Sequence, residues 1–232
     1  MESNITGIVI ADINASPPDT CTKVIAGKPI LEWSILALVK SLNLNEVIVA
    51  PIGDLSSSLR GLIPKMRAKY QININVLAPS LSRITALQSA LNSSPNSKII
   101  VIHEHNRPLA VALDLKALVQ QLGECDAAVC TVPVKSTVKH VLEGKIHSTV
   151  PRDKLVYIQP PYILKRESLQ KCLTYASSDH HEAYDEISLA FELGLKIRAV
   201  NGSYMNFAIQ NELEAAFAEQ TLAQLNMTNI CK

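Results

Sequence analysis

Glycine is missing where a phosphate-binding loop would need it. After the apolar run Gly7-Ile8-Val9-Ile10-Ala11 the chain continues Asp12-Ile13-Asn14-Ala15-Ser16-Pro17-Pro18-Asp19-Thr20, and no glycine follows until Gly27. A strand-then-loop anion site aims successive backbone N–H groups at phosphate oxygens, which calls for glycine's positive φ and its bare Cα. Pro17 and Pro18 carry no N–H at all. Aromatic residues are scarce, 4% of the chain with the single Trp33, which argues against a base-stacking platform for single-stranded nucleic acid. A dominant charge sign is lacking too. The 22 Lys and Arg against 21 Asp and Glu leave a net charge of +1, so no global field draws nucleic acid or an acidic membrane surface. No nucleic-acid or membrane partner is expected, and any phosphate recognition must be local.

Paired cysteines are absent as well: Cys21, Cys125, Cys130, Cys172 and Cys231 are odd in number and show no C-x-x-C or metal-like spacing. They read as reduced cytosolic thiols, each a small apolar filler before it is a nucleophile. The start Met-Glu-Ser-Asn has no basic stretch, and the apolar run at 8–11 is too short for a signal or a membrane span, so a soluble cytoplasmic protein is expected. Neither G-x-x-x-x-G-K-[ST], G-x-G-x-x-G nor G-x-S-x-G occurs, which removes the usual signals for a P-loop, a dinucleotide site and a hydrolase elbow.

What is present is an α/β rhythm. Short β-branched runs at 8–10, 47–50, 72–77, 99–103 and 127–134 alternate with amphipathic stretches at 29–42, 55–70, 81–91 and 113–122. Continuous apolar strands separated by helices predict a Rossmann-like, doubly wound, mostly parallel sheet covered on both faces, with ligands beyond the carboxyl ends of its strands. Pro29 is placed to open the first helix. At 232 residues the chain fits one such domain. The rhythm breaks over 135–158, where extended pieces at 137–141 and 146–150 flank Glu143-Gly144-Lys145, the pattern of a hairpin. It resumes with helices at 165–176 and 185–193, a strand at 196–200, an extended piece at 205–210 and a terminal helix from 212 to about 225.

Two histidine groupings are candidates for metal. His103 and His105 flank Glu104 at a strand end, where alternation puts both imidazoles on one side, although a hydrogen-bonded core role competes and no third ligand is evident. The run Asp179-His180-His181-Glu182 has more donors but lies in a polar stretch before a helix, where a solvated loop is the default.

Several segments together resemble the cytidylyltransferases that make the CDP derivative of methylerythritol 4-phosphate, and their ribitol-phosphate relatives. They are Gly27-Lys28-Pro29-Ile30-Leu31-Glu32, Arg83 with Ala90-Leu91, His103-Glu104-His105-Asn106-Arg107-Pro108, Val132 to Lys139, and Asp185-Glu186-x-Ser188. The resemblance runs from Gly27 onward. It implies a β-arm at about 135–158 that interlocks two subunits, and a reaction in which a polyol phosphate attacks the α-phosphate of CTP, with Mg²⁺ present and pyrophosphate leaving.

The resemblance also assigns roles. Lys23 neutralises the α-phosphate, and Glu104 binds metal or a substrate hydroxyl. Ala11, Asp12, Arg83 and Glu104 line the nucleotide site. His105, Arg107, Lys135, Thr149, Arg152 and Asp185 serve the substrate, with Lys135, Thr149 and Arg152 reaching it across the arm. Against this stand departures from the family pattern. The loop glycines and loop arginine have no counterpart, Ala86 stands for a serine, Pro151 for an aspartate, and Ala208 for the second phosphate-binding lysine. Three readings therefore remain open: transfer of CMP from CTP to 2-C-methyl-D-erythritol 4-phosphate, an inactive dimeric binding or partner protein on the same scaffold, and a transferase for another polyol phosphate.

Overall fold

The computed structural model describes residues 4–14, 17, 19–179 and 185–227. Its first strand, β1 (Ile5–Asp12), is buried over seven of eight positions, as expected of a β-branched run with no polar face. Two short antiparallel pieces, β2 (Val24–Ile25) and β3 (Lys28–Pro29), lead into helix α1 (Ile30–Ser41). Pro29 therefore stands one position before the helix, with φ −55° and ψ 146°, rather than inside it. Next come β4 (Glu46–Ile52), α2 (Ser56–Arg60), α3 (Leu62–Tyr70), β5 (Ile74–Val76), α4 (Arg83–Ser93) and β6 (Ile99–Glu104). The single helix expected over 55–70 is divided at Gly61.

A 3-10 turn at Pro108–Ala112 precedes α5 (Leu115–Leu122) and β7 (Ala127–Pro133). The hairpin β8 (Val138–Leu142) and β9 (Lys145–Val150) follows, then a 3-10 turn at Arg152–Lys154 and β10 (Val156–Lys165). The chain closes with α6 (Arg166–Asp179), α7 (Glu186–Glu192), β11 (Ile197–Asn201) and α8 (Glu212–Met227).

The main sheet has the order β11-β7-β10-β6-β1-β4-β5. All neighbours are parallel except β10, which runs antiparallel to both β6 and β7. This is the Rossmann-like α/β fold with a projecting arm, β8–β9, that pairs with no strand of the main sheet. The ten-residue β10 is the element that periodicity missed: Pro160 and Pro161 interrupt its pattern, and the register shifts between Gln159 and Tyr162 to admit them.

Alternation along the central strands divides the core between the two faces. Ile5, Val9 and Ala11 pack with Leu31, Ile35 and Leu38 of α1 and with Leu115 and Leu118 of α5 on one side. Ile8, Ile10, Ile100 and Ile102 pack with Ala86, Leu87 and Leu91 of α4 and Leu169 and Leu173 of α6 on the other. The far side of α1, through Ile30 and the fully buried Trp33, is covered by the 109–111 turn and by Ala215, Ala218 and Leu222 of α8. That third cluster anchors α8 and the segment before it, which bounds the cleft described next. Among the described residues no helix is long and apolar enough to cross a membrane.

Candidate functional site

Strand order reverses at β1, between β6 and β4, and the carboxyl ends of β1 and β6 open there into a cleft of about 210 Å³. Its walls are Ile10, Asp12, Arg83, Glu104, His105, Asn106, Arg107, Ala208 and Gln210. Three larger depressions, of about 500, 510 and 310 Å³, lie near Ile5, Ile99 and Asn45 at the amino ends of the strands. The smaller cleft is the candidate site, because it occupies the topological switch point and gathers opposed charged groups from separate elements.

Four side chains form an alternating chain of charge across this cleft. Glu186, fully buried at the first position of α7, accepts from Arg83 Nε at 2.7 Å and Nη2 at 3.1 Å. The remaining Arg83 nitrogen, Nη1, stands 3.4 Å from Glu104 Oε1, and the other Glu104 oxygen accepts from Arg107 Nε at 2.7 Å. Arg107 is held in turn by donating through Nη1 to the Asn206 carbonyl at 2.9 Å. Asn106 and Ile209 exchange hydrogen bonds that fasten the 205–210 segment against the end of β6.

Burial by itself would raise the Glu104 carboxyl, yet the Arg107 and Arg83 guanidiniums hold it below the usual carboxylate range. Burial would lower Arg83, and Glu186 instead drives it up. His103 is fully buried and pushed down to about 3; His105 is pushed down to about 4, in both cases by burial. Both imidazoles are therefore neutral near pH 7. His103 Nε2 faces the Arg107 carbonyl at 3.3 Å, while its Nδ1 has no partner. Three carboxylates, Asp12, Glu104 and Glu186, thus stand with two guanidiniums, Arg83 and Arg107, in the cleft and its buried support.

The loop after β1 does not build an anion nest from its described residues. The Ile13 N–H donates to the Ile52 carbonyl, extending the sheet contact with β4, and the Ile13 side chain lies against Gly53. The Asn14 N–H donates to the Asp12 carboxylate at 2.8 Å. Further on, the N–H groups of Thr20, Thr22 and Lys23 close turns onto the carbonyls of Pro17 and Asp19. Asp12 itself lines the cleft, so the loop contributes a carboxylate to it.

Of the residues singled out from sequence, Asp12, Arg83, Glu104, His105 and Arg107 are brought together in the cleft. Ala11 lies one position away with its side chain in the core. Lys23 does not line the cleft, and its ammonium pairs with Glu212 at the start of α8. Asp185 caps α7 by accepting from the Ser188 N–H at 2.7 Å.

Lys135, Thr149 and Arg152 sit exposed on the arm or at its base and do not line the cleft of their own chain. Lys135 stacks 3.8 Å from the Tyr204 ring centroid, Thr149 accepts from Lys139 at 2.7 Å, and Arg152 donates to the Lys135 carbonyl. Glu186 and Asn206 were not assigned a role from sequence. The signal for Glu186 was its place beside Asp185 in a shared motif; nothing local marks the Asn206 carbonyl as the anchor of Arg107. Ala208, where the resemblance implies a lysine, lines the cleft and brings no charge to it.

The donor set also bears on Mg²⁺. Both oxygens of Glu104 face guanidinium nitrogens, so a cation must displace one of them to reach it. Asp12 is the cleft carboxylate with no arginine against it in any described ion pair, and one carboxylate plus substrate phosphates is an ordinary Mg²⁺ environment. Among the described residues no group of three His, Cys, Asp or Glu side chains gathers as a metal cage. The 180–182 histidine run lies outside the described residues, and the side chain of Asp179 is likewise undescribed. Cys21, Cys130 and Cys172 are buried, and burial pushes their thiols up to about 12, 11 and 11, far from a reactive thiolate.

Comparison with known proteins places this architecture. A protein of Halalkalibacterium halodurans named 2-C-methyl-D-erythritol 4-phosphate cytidylyltransferase is 27% identical over 203 residues, spanning 86% of this chain and 87% of that one. One of the same name from Solibacter usitatus is 26% identical over 206 residues, covering 87% and 84%. Among solved structures, 4-diphosphocytidyl-2C-methyl-D-erythritol synthase of Anaerococcus prevotii superposes with a TM-score of 0.82 at 20% identity, over 96% of this chain and 99% of its own. The Thermus thermophilus cytidylyltransferase gives 0.72 at 19% identity with the same coverage, and these two likenesses speak for the fold. The family model described as IspD, 2-C-methyl-D-erythritol 4-phosphate cytidylyltransferase, matches residues 18–224 and so begins after β1 and Asp12. From Pro18 onward the chain matches that model almost to its end, and it belongs to the 2-C-methyl-D-erythritol 4-phosphate cytidylyltransferase family.

Proposed function

We propose that this family member has kept the scaffold and lost efficient nucleotidyl transfer, acting as a homodimeric binding or partner protein joined through the β8–β9 arm. The observation that supports this reading is the Asp12 carboxylate in the cleft, at the start of a loop whose N–H groups at Ile13, Asn14, Thr20, Thr22 and Lys23 are already bonded. Transfer to the α-phosphate of CTP depends on positioning and on neutralising charge that builds on the leaving pyrophosphate. The loop supplies a negative charge instead, Lys23 is paired elsewhere, and Ala208 replaces a cation. Losing one such electrostatic donor raises the barrier by about 3 kcal/mol, and here several donors to the same developing charge are missing.

A second reading has its own support: Arg83 and Arg107 converge at the switch point, and the family model spans nearly the whole chain. In that reading the protein moves CMP from CTP to 2-C-methyl-D-erythritol 4-phosphate, or to another polyol phosphate, and releases pyrophosphate. Mg²⁺ would arrive with the triphosphate, be held by Asp12, and neutralise phosphate charge. Glu104, His105 and Arg107 would orient the polyol phosphate, and Lys135, Thr149 and Arg152 would reach it across the arm. Lys23 would have to leave Glu212 to meet the α-phosphate.

A pyrophosphate-release assay separates the readings. Purified protein is offered CTP, UTP, ATP or GTP at millimolar concentration with Mg²⁺ and the polyol phosphate. The expected result is no release above the protein-free control and no nucleotide-dependent thermal shift. Release from CTP that requires the polyol phosphate would overturn the first reading and establish the second.

A further inference from the structure

The two guanidiniums that face the cleft are bridged by one carboxylate, and that bridge has a consequence for what the cleft admits. Arg83 already gives two nitrogens to the buried Glu186, which leaves Nη1 as its free edge toward the cleft. Arg107 is fixed from behind by the Asn206 carbonyl and presents Nε. Those two cleft-facing donors both point at Glu104, at 3.4 and 2.7 Å. A carboxylate between two guanidinium edges has the charge and oxygen spacing of one face of a phosphate, and arginine recognises the two anions with the same planar donors.

We infer that Glu104 is an internal anion that occupies a phosphate subsite formed by Arg83 Nη1 and Arg107 Nε, and that it sets the specificity of the cleft against phosphorylated ligands. The inference deepens the reading of a non-transferring relative and rests on it. Three observations support it. Both oxygens of Glu104 are engaged, so the bridge is complete within one chain. The two arginines are held from outside the cleft by Glu186 and Asn206, so they stay in place when Glu104 is neutralised. Among the described residues no lysine lines the cleft, and Asp12 adds a second carboxylate to its wall. An incoming phosphate must expel a paired carboxylate into a narrow cleft that already holds Asp12.

The test is titration calorimetry with inorganic pyrophosphate as the probe, without Mg²⁺, on the full chain at low salt and pH 7.5. Wild type is expected to show no saturation at millimolar pyrophosphate. Glu104→Gln keeps the size of the side chain and removes the competing charge. It should bind pyrophosphate at least tenfold more tightly than wild type, equivalent to about 1.4 kcal/mol. Glu104→Asp, one methylene shorter, loses the longer contact to Arg83 and should fall between the two. Glu124→Gln removes an exposed carboxylate outside the cleft and should leave pyrophosphate binding at the wild-type level.

Two results overturn the inference: tight binding of pyrophosphate by wild type, or a folded Glu104→Gln variant that binds no better than wild type. Should Glu104→Gln fail to fold, Glu104→Asp decides, and a folded Glu104→Asp without any gain overturns it. The reading of lost transfer fails separately, through CTP turnover by wild type, so the two failures are distinguishable.

Discussion

The cleft and the arm of this protein handle charge in opposite ways. In the cleft every arginine meets a carboxylate of the same chain, and Glu186, which anchors the series, is fully buried. On the arm Thr149 and Arg152 bond to Lys139 and to the Lys135 carbonyl, Lys135 stacks on Tyr204, and apolar side chains such as Val141, Leu142 and Ile146 stand more than half exposed. A hairpin with so much apolar exposure needs another surface to cover it. The ion pairs of the cleft close within one chain, while the apolar side chains of the arm stand exposed. The two regions therefore differ in what they leave open: the cleft arginines are paired within the chain, and the arm presents exposed apolar surface.

The largest expected effect tests how self-contained the cleft is. Arg83→Ala strands the Glu186 carboxylate in a buried position, and breaking a buried pair from one side costs about 3–5 kcal/mol. A fall of that size in urea-unfolding free energy is expected, whereas a change under 1 kcal/mol would show the pair to be solvated and the comparison false.

Acid sharpens the same contrast with a smaller effect. His103 and His105 have folded values lowered by burial to about 3 and 4, so below the ordinary histidine pKa the unfolded chain takes up protons that the folded chain refuses. Stability should therefore fall as pH drops from 7 to 5, by roughly 2 kcal/mol per histidine, before carboxylate protonation begins to matter. Glu104, with its lowered pKa, adds its own loss only at still lower pH. Urea midpoints at pH 7 and 5 measure this, and a flat profile would mean that the imidazoles are not sealed.

The smallest change in stability is expected on the arm. Ile146→Asp, at a position 70% exposed, should move the unfolding free energy of one chain by no more than about 0.5 kcal/mol. For the proposed homodimer it should nonetheless bring the mass seen by light scattering after gel filtration down to that of one chain. An unchanged mass would remove the arm's role in assembly and with it one half of the comparison.

Much of the fold was legible because local pattern and tertiary role agreed. The run at 8–10 is hydrophobic throughout because β1 is covered on both faces, and the Glu143-Gly144-Lys145 turn matches the β8–β9 hairpin, with Glu143 and Gly144 both at positive φ. The strand β10 was not legible, since two prolines contradict strand propensity and only pairing on both sides sustains it. Within the site, Arg83, Glu104 and Arg107 could be singled out as charged residues at element ends. Their partners could not, because Glu186 and Asn206 reach them across 103 and 99 residues of sequence.

By itself the sequence determined the alternation of strands and helices, the absence of a glycine nest and the absence of a lysine at Ala208, because each depends on residue type and local spacing alone. Only the tertiary structure decided that Asp12 faces the cleft, that Lys23 is spent on Glu212, and that Glu104 bridges two arginines. The reason is physical: the effect of a charge depends on which other charge lies within a few ångströms of it, and sheet order, not sequence order, sets that distance.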